Sequence, residues 1–114
     1  MVVKNYVPER GHIVWLDFNP RAGHEQAGHR PAMVISPKYY NERSGLVVVC
    51  PITSKVKDYP FAVGLPVSVG GGCILVDQIK SVDWAARQAM FKSKVAKKVL
   101  DEVIGKLSVL IFEE

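Results

Sequence analysis

Up to about residue 92 the apolar residues come in short runs separated by glycine, proline and asparagine, and beyond Val95 they return every three or four positions. Short β-branched and aromatic runs bounded by turn residues predict strands, whereas the three-to-four spacing predicts an amphipathic helix. The expected strands are Gly11 to Phe18, closed by Asn19-Pro20; Ala32 to Ser36; Leu46 to Ile52; Phe61 to Val67; Cys73 to Val82, after the turn Gly70-Gly71-Gly72; and a short last one, Gln88 to Lys92. Pro51 and Pro66 bring no N–H to a ladder and mark an edge or a bulge within their runs. The helix carries Val95, Val99, Leu100, Val103, Ile104, Leu107, Leu110 and Ile111 on one face, with Lys97, Lys98, Asp101, Glu102 and Lys106 between them. Ser93 is placed to cap its N-terminus.

Five or six short strands, tight turns and one terminal helix predict a mainly β, α+β fold, a small and strongly bent antiparallel sheet or barrel whose open side the helix covers. With 114 residues and no repeat or linker, residues 1–114 read as a single domain with a modest core. A small sheet of this kind leaves apolar surface that a second copy can cover, and a homodimer is expected.

Charge adds a direction. Fifteen basic against eleven acidic residues leave a formal net charge of +4, an excess that suits a polyanionic partner. Cys50 and Cys73 lie inside valine- and isoleucine-rich runs and read as buried reduced thiols rather than a disulfide or metal pair. The N-terminus has no apolar run of signal-peptide length and the chain has no membrane-spanning stretch, so a cytoplasmic protein without membrane contact is expected.

The chemistry concentrates in a loop between the first two strands, Gly23-His24-Glu25-Gln26-Ala27-Gly28-His29-Arg30-Pro31. Two imidazoles, a carboxylate, an amide and a guanidinium between glycines and a proline do not belong in a core; such a loop presents groups to a ligand. Three further clusters stand out: Thr53-Ser54-Lys55-Val56-Lys57-Asp58-Tyr59, Asp77-Gln78-Ile79-Lys80-Ser81, and Trp84-Ala85-Ala86-Arg87. There is no Gly-x-Ser-x-Gly turn, no phosphate-cradling Gly-x-x-x-x-Gly-Lys loop, and no Cys-x-x-Cys or His-x-x-x-His metal spacing. Metal-independent chemistry with no cofactor is left.

RNA phosphodiester cleavage fits that inventory, because the ribose 2′-hydroxyl is the nucleophile and the protein supplies a base, an acid and a cation for the charged transition state. Arg30 can engage two phosphate oxygens at once, Thr53 can hydrogen-bond the same phosphate, and Glu25 or His24 can act as base or orient one. Structural alternatives stand beside each role. Arg30 can pair with Glu25 across the loop, Thr53 can cap a turn, and Asp77 can accept backbone N–H groups at a strand end. Lys55 and Lys57 are either a solvated pair or, with Tyr59 and Phe61 for base stacking, a grip on a single strand.

At these residues the chain resembles the MazF/PemK family of toxins from toxin–antitoxin systems, nearly end to end. The likeness is carried by Gly23 to Pro31, Tyr39-Tyr40-Asn41 after Ser36-Pro37, Pro51-Ile52-Thr53, Asp77 to Ser81, and Trp84 to Arg87; Tyr6-Val7-Pro8 and Tyr59-Pro60-Phe61 look like the MazF branch. The resemblance implies an SH3-like small barrel with a C-terminal helix that dimerises and cuts single-stranded RNA at short sequences without metal, leaving a 2′,3′-cyclic phosphate and a 5′-hydroxyl. It also implies growth arrest, held in check by a cognate antitoxin whose acidic, flexible tail covers the RNA groove. The family's essential arginine and threonine fall on Arg30 and Thr53, and its loop glutamate on Glu25. A second branch uses a histidine, an arginine and an aspartate, matching His24 and Asp77, but Leu75 stands where its arginine would be. The expected catalytic set is therefore Arg30, Thr53 and Glu25, with His24, Gln26, His29, Lys55, Lys57, Asp77, Gln78 and Lys80 binding RNA. The alternative is a non-catalytic toxin of the same fold that binds DNA gyrase, but the chain ends Leu110-Ile111-Phe112-Glu113-Glu114, without the tryptophan such inhibitors use.

Overall fold

A computed structural model describes residues 6–18, 29–55 and 58–113. Seven strands and two α-helices follow in the order β1 (His12–Asp17), β2 (His29–Val34), α1 (Lys38–Ser44), β3 (Leu46–Thr53), β4 (Ala62–Gly64), β5 (Cys73–Leu75), β6 (Lys80–Asp83), β7 (Met90–Lys94) and α2 (Lys97–Phe112). Every pairing is antiparallel, and the strands run β4-β5-β3-β2-β1-β7, with β6 also on β3. The mainly β class with a C-terminal helix stands. The expected barrel is an unclosed one, since β4 and β7 remain edges.

The sheet bends enough to bury both faces. Ile13, Met33, Cys50, Ile74 and Val76 pack against Val95, Val99, Val103 and Leu107 at the start and along one stripe of α2. On the other face Val14, Leu16, Ala32, Val34, Val47 and Val49 form a second cluster closed by Tyr6, Phe18, Val82 and Trp84. Alternate residues of β1, β2 and β3 thus feed two cores, which is why these strands read as continuous apolar runs. The four-residue spacing of the buried α2 positions draws a narrow stripe; Leu110 and Ile111 are exposed, contrary to the expected wider face. The helix begins after Ala96 without a side-chain cap, and Ser93 lies within β7, its hydroxyl buried and without a hydrogen-bond partner among the described residues.

Two elements differ from the apolar pattern. Residues 38–44 form α1, a helix too short to show periodicity, and it is held by a buried side chain. Fully buried Asn41 donates from Nδ2 to the carbonyls of Pro8 (2.8 Å) and Ser36 (3.1 Å) and accepts from the Ser36 hydroxyl (2.5 Å). The Trp84 indole N–H donates to the Asn41 carbonyl at 2.7 Å. The expected strand Cys73 to Val82 is broken by a 3₁₀ turn, Val76–Gln78. Its pairing with β3 passes from Ile52↔Ile74 to Val49↔Lys80, so two residues of β3, Cys50 and Pro51, face the five residues 75–79. Pro51 offers no N–H to continue the ladder, and the surplus residues coil outward. Pro51 therefore marks a bulge, as expected, but Pro66 lies outside any strand, just before a 3₁₀ turn at Val67–Val69.

Gly70, Gly71 and Gly72 all have positive φ, and Gly72 is the tightest of the described glycines. A Cβ there would lie 2.1 Å from the carbonyl oxygen of Thr53, so the turn rests directly on the end of β3. At the other end of the sheet, His12 is stacked in the corner between the N-terminal segment and β7. It accepts from the Tyr6 hydroxyl at Nδ1 (2.6 Å), approaches the Glu9 carboxylate through Nε2 (3.2 Å), and meets the Phe91 ring edge-on at 4.9 Å. Burial holds the His12 pKa below the usual histidine value, outweighing the opposing pull of Glu9, and Lys94 and Lys38 add to the depression.

These contacts predict three outcomes. Gly72→Ala combines a strained φ with a backbone clash and lowers the denaturation free energy by at least about 2 kcal/mol, read as a reduced denaturant midpoint at constant m. Gly105→Ala, in an exposed turn of α2 where a Cβ meets nothing, raises it by about 0.5–1 kcal/mol. Because the folded state lowers the His12 pKa, the unfolded chain binds the proton more readily. Stability therefore falls as the pH drops below about 6.5, through the lowered pKa. In His12→Gln the loss of midpoint between about pH 7.5 and 5.5 shrinks.

Candidate RNA-binding cleft

The ends of the strands and the loops beyond them enclose a cleft of about 950 Å³. The cations Arg30, Lys55, Lys80 and Lys92 line it, with the hydroxyls of Thr53 and Ser54, the Gln78 amide and the rings of Trp15 and Phe18. Ile13, Ile52, Leu65 and Leu75 give it an apolar floor. No carboxylate is among the described lining residues. Four cations over an apolar, aromatic floor suit a flexible polyanion that also has flat faces to stack.

Arg30 and Thr53 come together through strand register. β2 and β3 pair as Ala32↔Pro51, Met33↔Cys50 and Val34↔Val49, and continuing that register two residues sets Arg30 level with Thr53. Arg30 pairs with Leu16 of β1, so its backbone is held from that side. Thr53, the last residue of β3, pairs with Cys73 of β5. Its Oγ1 accepts the N–H of Lys55 at 3.3 Å, so the expected turn cap is real, and the hydroxyl retains its own hydrogen to donate into the cleft. Lys55 is exposed at the rim.

The broken strand supplies the opposite wall. The 3₁₀ turn that Pro51 forces outward brings Gln78 to the cleft, and β6 follows with Lys80, whose ammonium lies 4.4 Å from the centroid of the Phe18 ring. Arg87 approaches the same ring at 6.0 Å. Asp77, in the same turn, lies outside the cleft lining and accepts a hydrogen bond from the Tyr59 hydroxyl. That bond is the main cause of the raised Tyr59 pKa. The backbone N–H acceptor role considered for Asp77 is replaced by this phenol. His29 is exposed at the start of β2, opposite Asp17, also outside the lining. His24, Glu25, Gln26 and Lys57 lie outside the described residues.

Trp15, Phe18 and Lys92 belong to the cleft without having been singled out from the sequence. In the sequence Trp15 and Phe18 belong to the apolar run of the first strand, and Lys92 ends the short last one, Gln88 to Lys92. The thiols stay out of the chemistry: both are buried, and burial, with a smaller effect from the charge of Asp77, pushes the Cys50 thiol up to about 12. Among the described residues no three His, Cys, Asp or Glu side chains gather as a metal site would require. Nor is any described helix long and apolar enough to cross a membrane.

Comparison with known proteins agrees with this geometry. The chain is 46% identical over 110 residues to the endoribonuclease toxin MazF of Escherichia coli K12, covering 96% of this chain and 99% of that protein. It is 34% identical to the endoribonuclease PemK of Escherichia coli over 109 residues, 90% of this chain and 81% of the relative. A crystal structure of MazE–MazF from Deinococcus radiodurans superposes with a TM-score of 0.90 at 49% identity, covering 96% of this chain and all of that one. Nothing among these relatives supports the gyrase-binding alternative. Residues 9–111 match the model of the PemK-like, MazF-like toxins of type II toxin–antitoxin systems, and the chain belongs to that family.

Proposed function

We propose that this protein is a toxin that arrests growth by cutting single-stranded RNA, mRNA in particular, at specific short sequences in its cleft, without a metal ion. The observation that carries the proposal is that Arg30 and Thr53, near the ends of adjacent strands, line one cleft with other cations and no described carboxylate. The relatives' names, endoribonuclease MazF and endoribonuclease PemK, support the same activity.

The chemistry follows from what these groups can do. The ribose 2′-hydroxyl attacks the adjacent phosphorus, the 5′-oxygen departs, and the products are a 2′,3′-cyclic phosphate and a 5′-hydroxyl. Negative charge grows on the non-bridging phosphate oxygens, where the Arg30 guanidinium can donate two parallel hydrogen bonds. The Thr53 hydroxyl donates to the same phosphate. Glu25, five residues before Arg30 in sequence, helps as base or by orienting one. Lys55, Gln78 and Lys80 hold the flanking strand, joined by Lys57, His24, Gln26 and His29, and Asp77 contributes through the Tyr59 phenol it binds.

A second copy completes the proposed assembly. Ile104, Leu110, Ile111 and Phe112 leave an exposed apolar strip along the end of α2, suited to a homodimer. A cognate antitoxin occupies the cleft with an acidic, flexible segment, as the MazE–MazF pairing of the solved relative suggests. The toxin acts in the cytoplasm, where its RNA substrate is.

Arg30→Ala is expected to lower cleavage of a long single-stranded RNA, assayed in chelator, by about 10²–10³-fold at an unchanged melting temperature. Undiminished cleavage would refute the assignment. Thr53→Val should cost about tenfold or more, for loss of one hydrogen bond to a charged oxygen. The 5′ ends of the products should resist ligation until treated with a kinase; direct ligation would contradict 2′-hydroxyl attack.

A further inference from the structure

Regular pairing would not place Lys92 in the cleft. β1 and β7 align as His12↔Lys94 and Ile13↔Ser93, then as Val14↔Phe91 and Trp15↔Met90, so Lys92 is the extra residue of a bulge. Without it Lys92 would stand opposite fully buried Val14; a bulge re-aims a side chain. Here the ammonium sits 5.5 Å from the centroid of the Trp15 ring and donates to the Val69 carbonyl at 3.2 Å. A Cβ on Gly70 would come within 2.9 Å of Nζ, so the glycine there leaves the space that the ammonium uses.

No carboxylate pairs with Lys92 among the described residues. A half-buried ammonium that has one neutral carbonyl and one aromatic face for partners keeps two N–H donors for an outside acceptor. We propose that Lys92 is an RNA-binding residue whose ammonium holds a backbone phosphate other than the one being cut. β1 and β2 lie between β7, which carries Lys92, and β3, which ends at Thr53. Arg30 and Thr53 already take the non-bridging oxygens of the phosphate being cut, which leaves the Lys92 ammonium for a neighbouring one. Lysine is a compact point charge, and its phosphate contact adds affinity and strand register without selecting a base. The inference rests on the cleft being an RNA site and adds to it one contact with the substrate's backbone.

The test measures binding apart from cleavage. A fluorescein-labelled single-stranded oligonucleotide of mixed sequence, 2′-O-methylated throughout, has no attacking hydroxyl and reports affinity by anisotropy. Lys92→Gln keeps a donor for the Val69 carbonyl and removes the charge; Lys92→Arg keeps the charge. Lys92→Gln is expected to weaken binding about three- to tenfold and to reduce the slope of log affinity against log salt by about 0.7, while Lys92→Arg stays within about twofold of the unaltered protein. On cleavable RNA, KM should rise with kcat unchanged. Equal affinity and slope in Lys92→Gln, a fall in kcat at constant KM, or no binding by the unaltered protein would each overturn the proposal. Should the unaltered protein bind the strand but leave cleavable RNA intact, the cleavage assignment fails, and the salt slopes alone decide for or against Lys92.

Discussion

β3 is paired along both edges, with β2 on one side and with β6 and then β5 on the other, and Pro51 interrupts it without an N–H to offer. A proline in so central a strand forces its neighbour to leave the ladder. Here the neighbour does so as a 3₁₀ turn between β5 and β6, and the turn carries Asp77 and Gln78 out of the sheet. Cys50, beside Pro51, makes only a weak thiol contact to the Val76 carbonyl at 3.8 Å. The defect in backbone pairing and the wall of the cleft are thus one feature. Because the strand beyond the defect resumes with Lys80, the same interruption sets the position of a cation over Phe18.

The cleft gathers like charge at the rim of an otherwise well-paired sheet. Arg30, Lys55, Lys80 and Lys92 repel one another, and the described lining holds no carboxylate, although Asp77 and Asp83 are near its strands in sequence. Those acids are engaged elsewhere: Asp77 with Tyr59, and Asp83 with the backbone N–H groups of Ala85 and Ala86. Like charge gathered in this way suits a bound polyanion, whether it is a nucleic acid or an acidic peptide segment.

Much of this was legible in the residues. β1, β3 and α2 announce themselves, the strands as apolar runs and the helix by its three-to-four spacing, whereas β2 begins at His29, inside what reads as a loop; the motifs around Arg30 and Thr53 mark the catalytic candidates directly. What escaped has a common cause: it depends on a partner far along the chain. α1 is too short for periodicity and is held by Asn41 reaching back to Pro8. Cys73 to Val82 reads as one strand because Val76 is buried in the turn as it would be in a strand, and the reason for the break, Pro51, belongs to another strand. The bulge that re-aims Lys92 leaves no trace in a lysine-rich stretch, and the level alignment of Arg30 with Thr53 exists only in the register of two strands.

The close seat of Gly72 against Thr53 has an evolutionary side. The residue next to the proposed chemistry is held by a neighbour that has no side chain, so the turn cannot drift in sequence without moving the threonine. Selection for a foldable chain and selection for an active one converge on the same few atoms there. In a random library, variants at this turn should not separate into stable-but-dead and active-but-fragile classes, as active-site variants often do; both properties should vanish together, making the turn a poor place to seek an attenuated toxin.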